Sequence, residues 1–234
     1  MSLSSDGMRG TIAPVKLLAV DVERFARELP ALFDEFPASL HPRDRRFAGV
    51  LEGVPGLGCE NNLALIALAS SLREPGESYV EAGTYRGTSL IAAMLGRSAD
   101  VVGIDDFSFR EGTRAGLDAN LERFGFRAEA SVLEGDLFEL LREEALEDRR
   151  VGVFFYDAAH SYRAHLDALR LVEPWLAPRA LVIVDDSDWE QVGRATRDYL
   201  SAQPRARLLL EIDGKDRAQP HWWEGMQVVA WENG

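Results

Sequence analysis

The sequence predicts an α/β fold: a Rossmann-like, doubly wound sheet of seven strands, mostly parallel, with an antiparallel strand in a C-terminal hairpin, helices on both faces and an N-terminal helical extension. Three observations predict it. From residue 78 onward, short β-rich runs alternate with helical patterns, the signature of βα units. The runs VGVFFYD and ALVIVDD are almost wholly apolar, as central strands covered on both faces must be. The rhythm then changes. RARLLLEIDG and MQVVAWEN are strand-like runs joined by a polar loop, 215–225, which reads as a closing hairpin.

The elements follow in order. Residues 21–36 carry apolar side chains at helical spacing (Val22, Phe25, Leu29, Leu32, Phe33), interrupted by Pro30. A Pro- and Gly-rich passage, 37–58, precedes a second helix over 61–72, with Glu60 or Asn61 near its start. These segments form an extension or lid, 1–74, on a main domain, 75–234. Strands are expected at 78–82, 100–105, 128–133, 151–157 and 180–185, with helices at 88–95, 112–124, 137–145 and 162–175. Ser187 and Glu190 form an S-x-x-E capping box that starts a last helix, reaching about residue 202.

Composition narrows the function classes. Of 234 residues, 46% are hydrophobic and 28% charged, the values of an ordinary globular protein. The formal net charge of -13 suits neither DNA nor RNA as partner, because a phosphate backbone attracts Lys and Arg clusters. Cys59 is the single cysteine, so no intrachain disulfide or zinc-ligand spacing exists. No apolar run approaches a membrane span, and the first residues lack a leader pattern. The expectation is a cytoplasmic protein with a small-molecule substrate and no nucleic-acid or membrane partner. The apolar N-terminal helices offer a surface for a homodimer contact.

The segment YVEAGTYRGTSLIAAML is the most informative. It reads as a strand ending at Glu81, a turn bracketed by Gly83 and Gly87, and a helix N-terminus, an arrangement that holds nucleotide-like cofactors. The dinucleotide pattern G-x-G-x-x-G is missing, and the Glu81 carboxylate would repel a pyrophosphate. A cofactor with a sulfonium and an ammonium group tolerates that carboxylate, which points to S-adenosylmethionine rather than a nicotinamide dinucleotide. The other strand ends are acidic too: Asp105 and Asp106, Asp136 after Gly135, Asp157, and Asp185 with Asp186. Five acidic strand ends on one rim repel one another unless a cationic cofactor, a metal ion, or both lie among them.

In VVGIDDF, the Gly135–Asp136 pair and FFYDAAHSYRAHLDALRLVEPWLAPRALVIVDDSDW, the chain from about Asn61 onward resembles class I S-adenosylmethionine-dependent methyltransferases. Within them it is similar to small-molecule O-methyltransferases with D-x-x-H-x-Y and D-D motifs. The resemblance implies that Glu81, Gly83, Thr84 and Gly87 hold the methionine part of the cofactor. It implies Asp105 on the ribose hydroxyls, Asp136 on the adenine amino group and Leu137 or Phe138 against the ring. It also implies that Asp157, Asp185 and Asp186, the latter two 28 and 29 residues beyond the first, bind a divalent cation such as Mg²⁺. His160 then accepts the substrate proton beside Asp157. His221, Trp222 and Trp223, in the hairpin loop, are expected to line the substrate pocket. His165 is expected on the helix surface, Tyr162 in packing, Cys59 in a structural role, and His41 and Arg43 on the solvated surface. Three other readings stay open: a metal-independent methyltransferase acting on nitrogen or carbon, a nicotinamide-dependent oxidoreductase, and a cofactor-binding protein without catalysis.

Overall fold

The structure, a computed structural model, describes residues 20–214 and 221–233. The opening segment read for a leader and most of the polar loop 215–225 lie outside the described residues.

Near the start, α1 (Val22–Glu28) begins where the Asp21 carboxylate accepts from the Arg24 backbone N–H at 2.8 Å. Pro30 ends it, opening a 3₁₀ turn over Pro30–Leu32 instead of continuing one helix to residue 36. Two more helices follow, α2 (Arg46–Gly53) and α3 (Glu60–Ser71). Buried positions run without a break from Asn61 to Ser70 of α3, so this helix is interior to the fold rather than a surface lid. It packs along α4 (Thr88–Gly96), and its core cluster is continuous with one face of the sheet. Just after α3, the buried Arg73 donates to the carbonyls of Ser70, Glu77, Arg97, Ala99 and Asp100, tying the helix to the N-terminal edge of the sheet.

The strands are β1 (Glu77–Ala82), β2 (Val101–Asp105), β3 (Ala130–Glu134), β4 (Arg150–Tyr156), β5 (Leu176–Asp185), β6 (Ala206–Ile212) and β7 (Met226–Glu232). They form one sheet in the order β3-β2-β1-β4-β5-β7-β6. Every pairing is parallel except those of β7, which runs antiparallel to both β5 and β6. The strand order reverses between β1 and β4, leaving a crevice beyond their carboxyl ends. Between the strands run α5 (Thr113–Arg123), α6 (Leu137–Arg142), α7 (Tyr162–Leu171) and α8 (Glu190–Ala202).

Strand alternation divides the core in two. Tyr79, Val153, Phe155, Leu181 and Ile183 pack with α3 and α4 on one face. Val80, Phe154, Tyr156, Val182 and Val184 pack with α6, α7 and α8 on the other. The capping box at Ser187 does not form. Helix α8 starts at Glu190 with Trp189 at its N-cap and no side-chain cap. The reason is the preceding corner: Ser187 N and Asp188 N donate to the carbonyls of Gly225 and Glu224, which commits this stretch to the hairpin loop.

Candidate functional site

The main cavity, about 420 Å³, lies at the strand-order reversal. Its walls come from the segments that follow β1, β2, β3, β4 and β5, together with Leu57 and Trp223.

The glycine turn forms one wall. Gly83 has φ 91°, and a Cβ there would lie 1.7 Å from the Asp157 carbonyl oxygen, so only glycine lets the turn close on the end of β4. Gly87, at φ 87°, serves as the N-cap of α4 without a side chain, leaving the first N–H groups of that helix facing the turn. Thr84 lines the cavity but is 1% exposed, and its hydroxyl reaches back toward the Ile104 carbonyl at 3.4 Å.

Glu81, expected at the rim, does not line the cavity. It is fully buried behind the turn, where its Oε2 accepts from the Tyr79 hydroxyl at 2.7 Å. Burial pushes its pKa up to about 8, and the Tyr79 hydrogen bond opposes that only in part. Strand alternation is the physical reason: Tyr79 and Glu81 sit on the same face of β1, turned toward the α3–α4 layer.

The next two carboxylates are held by backbone. Asp105 accepts from Tyr85 N at 2.7 Å and Phe107 N at 2.6 Å, while Asp106 turns outward and accepts from Ser108 N at 2.9 Å. Asp136 caps α6, accepting from Glu139 N at 2.9 Å. Leu137 and Phe138 follow it along the cavity wall.

Across the cavity the carboxylates crowd. One ligand atom each from Asp157, His160 and Asp186 lies within 4.8 Å of the others. Desolvation first, then the charges of Asp185 and Asp186, hold the Asp157 carboxyl well above the usual range. His160 Nε2 contacts Asp186 Oδ2, and its ring stacks on Trp189 at 5.1 Å between centroids. The Asp186 partner raises the His160 pKa above its ordinary value. Asp185 was expected among the cation ligands. Among the described residues it stands outside this cluster, because its Oδ1 accepts from Asp186 N at 3.0 Å and from Asn62 Nδ2 at 3.4 Å. Burial and the Asp186 charge push Asp185 up to about 8.

The hairpin-loop residues part company. Trp223 lines the main cavity. Trp222 is 2% exposed, packs on Phe33 and Phe36, and donates Nε1–H to the Pro37 carbonyl at 2.8 Å. It is a core residue, buried because Phe33 and Phe36 supply its apolar seat. His221 and Trp222 border a second, open cavity of about 490 Å³ beside Pro37 and Asp213.

His165 is 1% exposed rather than superficial. It stands edge-on to Tyr156 at 4.5 Å, and burial lowers its pKa to about 4. Tyr162 donates its hydroxyl to Asp198 at 2.8 Å. His41 is exposed, and Arg43 pairs with Asp34 at 2.8 Å.

Sequence reasoning missed Leu57, Tyr85 and Phe109, which give the mouth apolar surface, and Trp189, which stacks on His160. Phe109 is 63% and Trp189 43% exposed. Phe109 meets Tyr85 edge-on at 5.6 Å. Their signal in the sequence was only an apolar side chain within a polar stretch. The described helices include none long and apolar enough to cross a membrane.

With this geometry in hand, comparison with known proteins gives a consistent result. Residues 80–187 match a family model described as a methyltransferase domain. The O-methyltransferase from Bacillus cereus, solved with S-adenosylhomocysteine, superposes with a TM-score of 0.60 at 15% identity, covering 91% of this chain and 100% of that one. TomG, the O-methyltransferase from Streptomyces achromogenes involved in tomaymycin synthesis and solved with S-adenosylmethionine, gives 0.63 at 16%, covering 92% and 99%. A putative caffeoyl-CoA O-methyltransferase from Staphylococcus aureus gives 0.57 at 20%, covering 80% and 90%. No curated protein sequence matches the chain.

Proposed function

We propose that this chain, a class I methyltransferase by fold and by its domain match, uses S-adenosylmethionine to methylate a hydroxyl oxygen of a small molecule, with a divalent cation at Asp157 and Asp186, beside His160. One observation carries the reading. The cavity joins two unlike halves, a backbone-braced cradle and a cluster of crowded acids with an imidazole.

The cradle suits the cofactor. Asp105 has both oxygens fixed by backbone N–H groups, which leaves lone pairs for two ribose hydroxyls. Asp136 faces the same wall with room for an amino donor, and Leu137 and Phe138 give a flat apolar surface for the ring. The glycine turn, pressed against the end of β4, brings the cofactor's far end toward Asp157.

The acid cluster suits a cation. Burial and the neighbouring acids hold the Asp157 carboxyl well above its usual range, so it keeps a proton that it would release to a divalent ion. Oxygen-rich ligands with open positions favour Mg²⁺ or Mn²⁺. A cation bound there would supply Lewis acidity that lowers the pKa of an acceptor hydroxyl.

The protein's own residues do the rest. His160, steadied on Trp189, takes the hydroxyl proton in its neutral form. S-adenosylmethionine bound in the cradle would supply the methyl group to that deprotonated oxygen, its carbon–sulfur bond breaking to leave a neutral thioether. Trp223, Leu57 and Phe109 exclude water from the mouth and present apolar area to the acceptor.

The contact of His160 Nε2 with Asp186 Oδ2 favours a second reading, in which the same residues work without a metal. Calorimetric titration of S-adenosylmethionine, followed by methylation of a panel of hydroxylated compounds with Mg²⁺ and with EDTA, tests both. Micromolar cofactor binding and Mg²⁺-dependent turnover support the first reading. Turnover that survives EDTA supports the second, and no cofactor binding rejects both.

A further inference from the structure

We infer that Asn62, on the N-terminal helix α3, is a positioning residue that sets the Asp185–Asp186 corner; the inference rests on the reading of that corner as part of the catalytic site. Helix α3 is buried from residue 61 to 70, and its interior is otherwise Leu, Ala and Ile except for Asn61 and Ser70. An amide at such a position costs stability unless it is bonded. Asn62 is 2% exposed, and both ends of its amide have partners. Its Nδ2 donates to Asp185 Oδ1 at 3.4 Å, and its Oδ1 accepts from the Cys59 thiol at 3.1 Å. The same thiol lies 3.1 Å from the His221 carbonyl, two residues before the cavity-lining Trp223.

The corner needs holding. Asp186 has φ 54°, in the left-handed region that non-glycine residues seldom occupy. Its backbone N–H is fixed on Asp185 Oδ1 at 3.0 Å, the oxygen that Asn62 also grips. Turned this way, the Asp186 side chain meets His160 and approaches Asp157. Asn62 therefore acts at one remove. It keeps Asp185 turned inward, away from the acid–imidazole cluster, and so aims Asp186 into it. A helix that precedes the sheet in sequence thus completes a site built on the last parallel strand.

The neighbouring Asn61 is the control. It is equally buried on the same helix, but its Nδ2 bonds the Ser39 carbonyl at 2.8 Å and does not touch the corner. Amide hydrogen exchange and Mn²⁺ titration by electron paramagnetic resonance would be measured on the full chain, as wild type, Asn62→Leu and Asn61→Leu. Asn62→Leu is expected to speed exchange of the Asp186 amide at least tenfold, with Val182 and Val184 unchanged. It is also expected to weaken Mn²⁺ binding at least tenfold, with S-adenosylmethionine affinity within threefold of wild type. Asn61→Leu is expected to change neither. Wild-type exchange at Asp186 in Asn62→Leu, or equal effects in the two variants, overturns the inference. Should wild type bind no Mn²⁺, the cation reading fails while the Asp186 exchange still decides the role of Asn62. Should Asn62→Leu not fold, Asn62→Ala, which removes the amide without adding bulk, is read by the same criteria.

Discussion

The two halves of the cavity treat their carboxylates in opposite ways. On the β2–β3 side, Asp105 and Asp136 accept from backbone N–H groups at 2.6 to 2.9 Å, so their charge is already answered by the fold. On the β4–β5 side, Asp157, Asp185 and Asp186 face one another, and His160 is the basic side chain among the residues that line the cavity. A satisfied carboxylate is a finished acceptor for a neutral hydroxyl or amino group. A crowded one is an unfinished site, whose free energy falls when a cation arrives. Equal formal charge at one sheet edge therefore supports two chemistries, and backbone donors decide which.

The largest expected effect is at Asp157. Asp157→Asn removes one of the crowded acids, so the metal-free protein should gain stability at pH 8 while methyl transfer falls by about 10³-fold or more. The rise in Tm that Mg²⁺ gives the wild type should vanish as well. Thermal melts with and without Mg²⁺, beside a turnover assay, check both signs. A variant that loses stability at pH 8 would break the contrast between the halves.

Asp105→Ala should do the reverse. It strips two backbone N–H groups of their acceptor, so stability should fall by about 1–3 kcal/mol. S-adenosylmethionine affinity should drop by about 10- to 100-fold, the size of a lost charge-assisted hydrogen-bond pair. Mn²⁺ affinity should stay unchanged. Calorimetry with each ligand separates the halves, and equal losses of both would show that they are not independent.

A smaller effect is expected at the mouth. Trp223→Ala should raise the acceptor KM by about 3- to 10-fold through lost apolar area, with cofactor affinity unchanged. A change in cofactor affinity instead would assign Trp223 to the cradle.

Much of this was legible in the sequence. The glycine turn, the acidic strand ends and the apolar central strands each use a local pattern with a local cause, so the mostly parallel sheet and its acidic rim followed from them. The failures share one feature: the fate of a side chain was set by a distant partner. Glu81 is adjacent to the turn in sequence, yet strand alternation sends it behind the sheet to Tyr79. Trp222 and Trp223 are neighbours, but Phe33 and Phe36 claim the first and leave the second to the cavity. His165 reads as a surface position until Tyr156 packs on it. Asn62 carries no motif of its own within the helix expected over 61–72, and only a contact across 123 residues shows its connection to Asp185. The Ser187 capping box failed likewise, because the hairpin loop captured the same backbone.

Glu81 gives the last test, because it belongs to neither half. Its folded pKa, pushed from 4.5 to about 8 by burial, means that the native state keeps a proton that the unfolded chain releases between those values. The native state binds more protons across that window, so stability must fall as pH rises through it. The slope contributed by one such proton is about 1.4 kcal/mol per pH unit where the difference is complete, near pH 6 to 7. Asp185, raised from 3.8 to about 8, slopes the same way in the absence of a cation. The two are separable. Glu81→Gln keeps an oxygen for the Tyr79 hydroxyl and should remove about one proton's share of the slope, with or without Mg²⁺. Saturating Mg²⁺ should flatten the remainder in wild type and mutant alike. Urea midpoints at half-unit steps from pH 5.5 to 8.5 measure both contributions. If Glu81→Gln keeps the wild-type slope, the buried carboxyl is ionised in the fold. The acidity of the site would then reach through the glycine turn to the layer behind it, and the boundary between the satisfied and the crowded acids would have to be drawn deeper in the sheet.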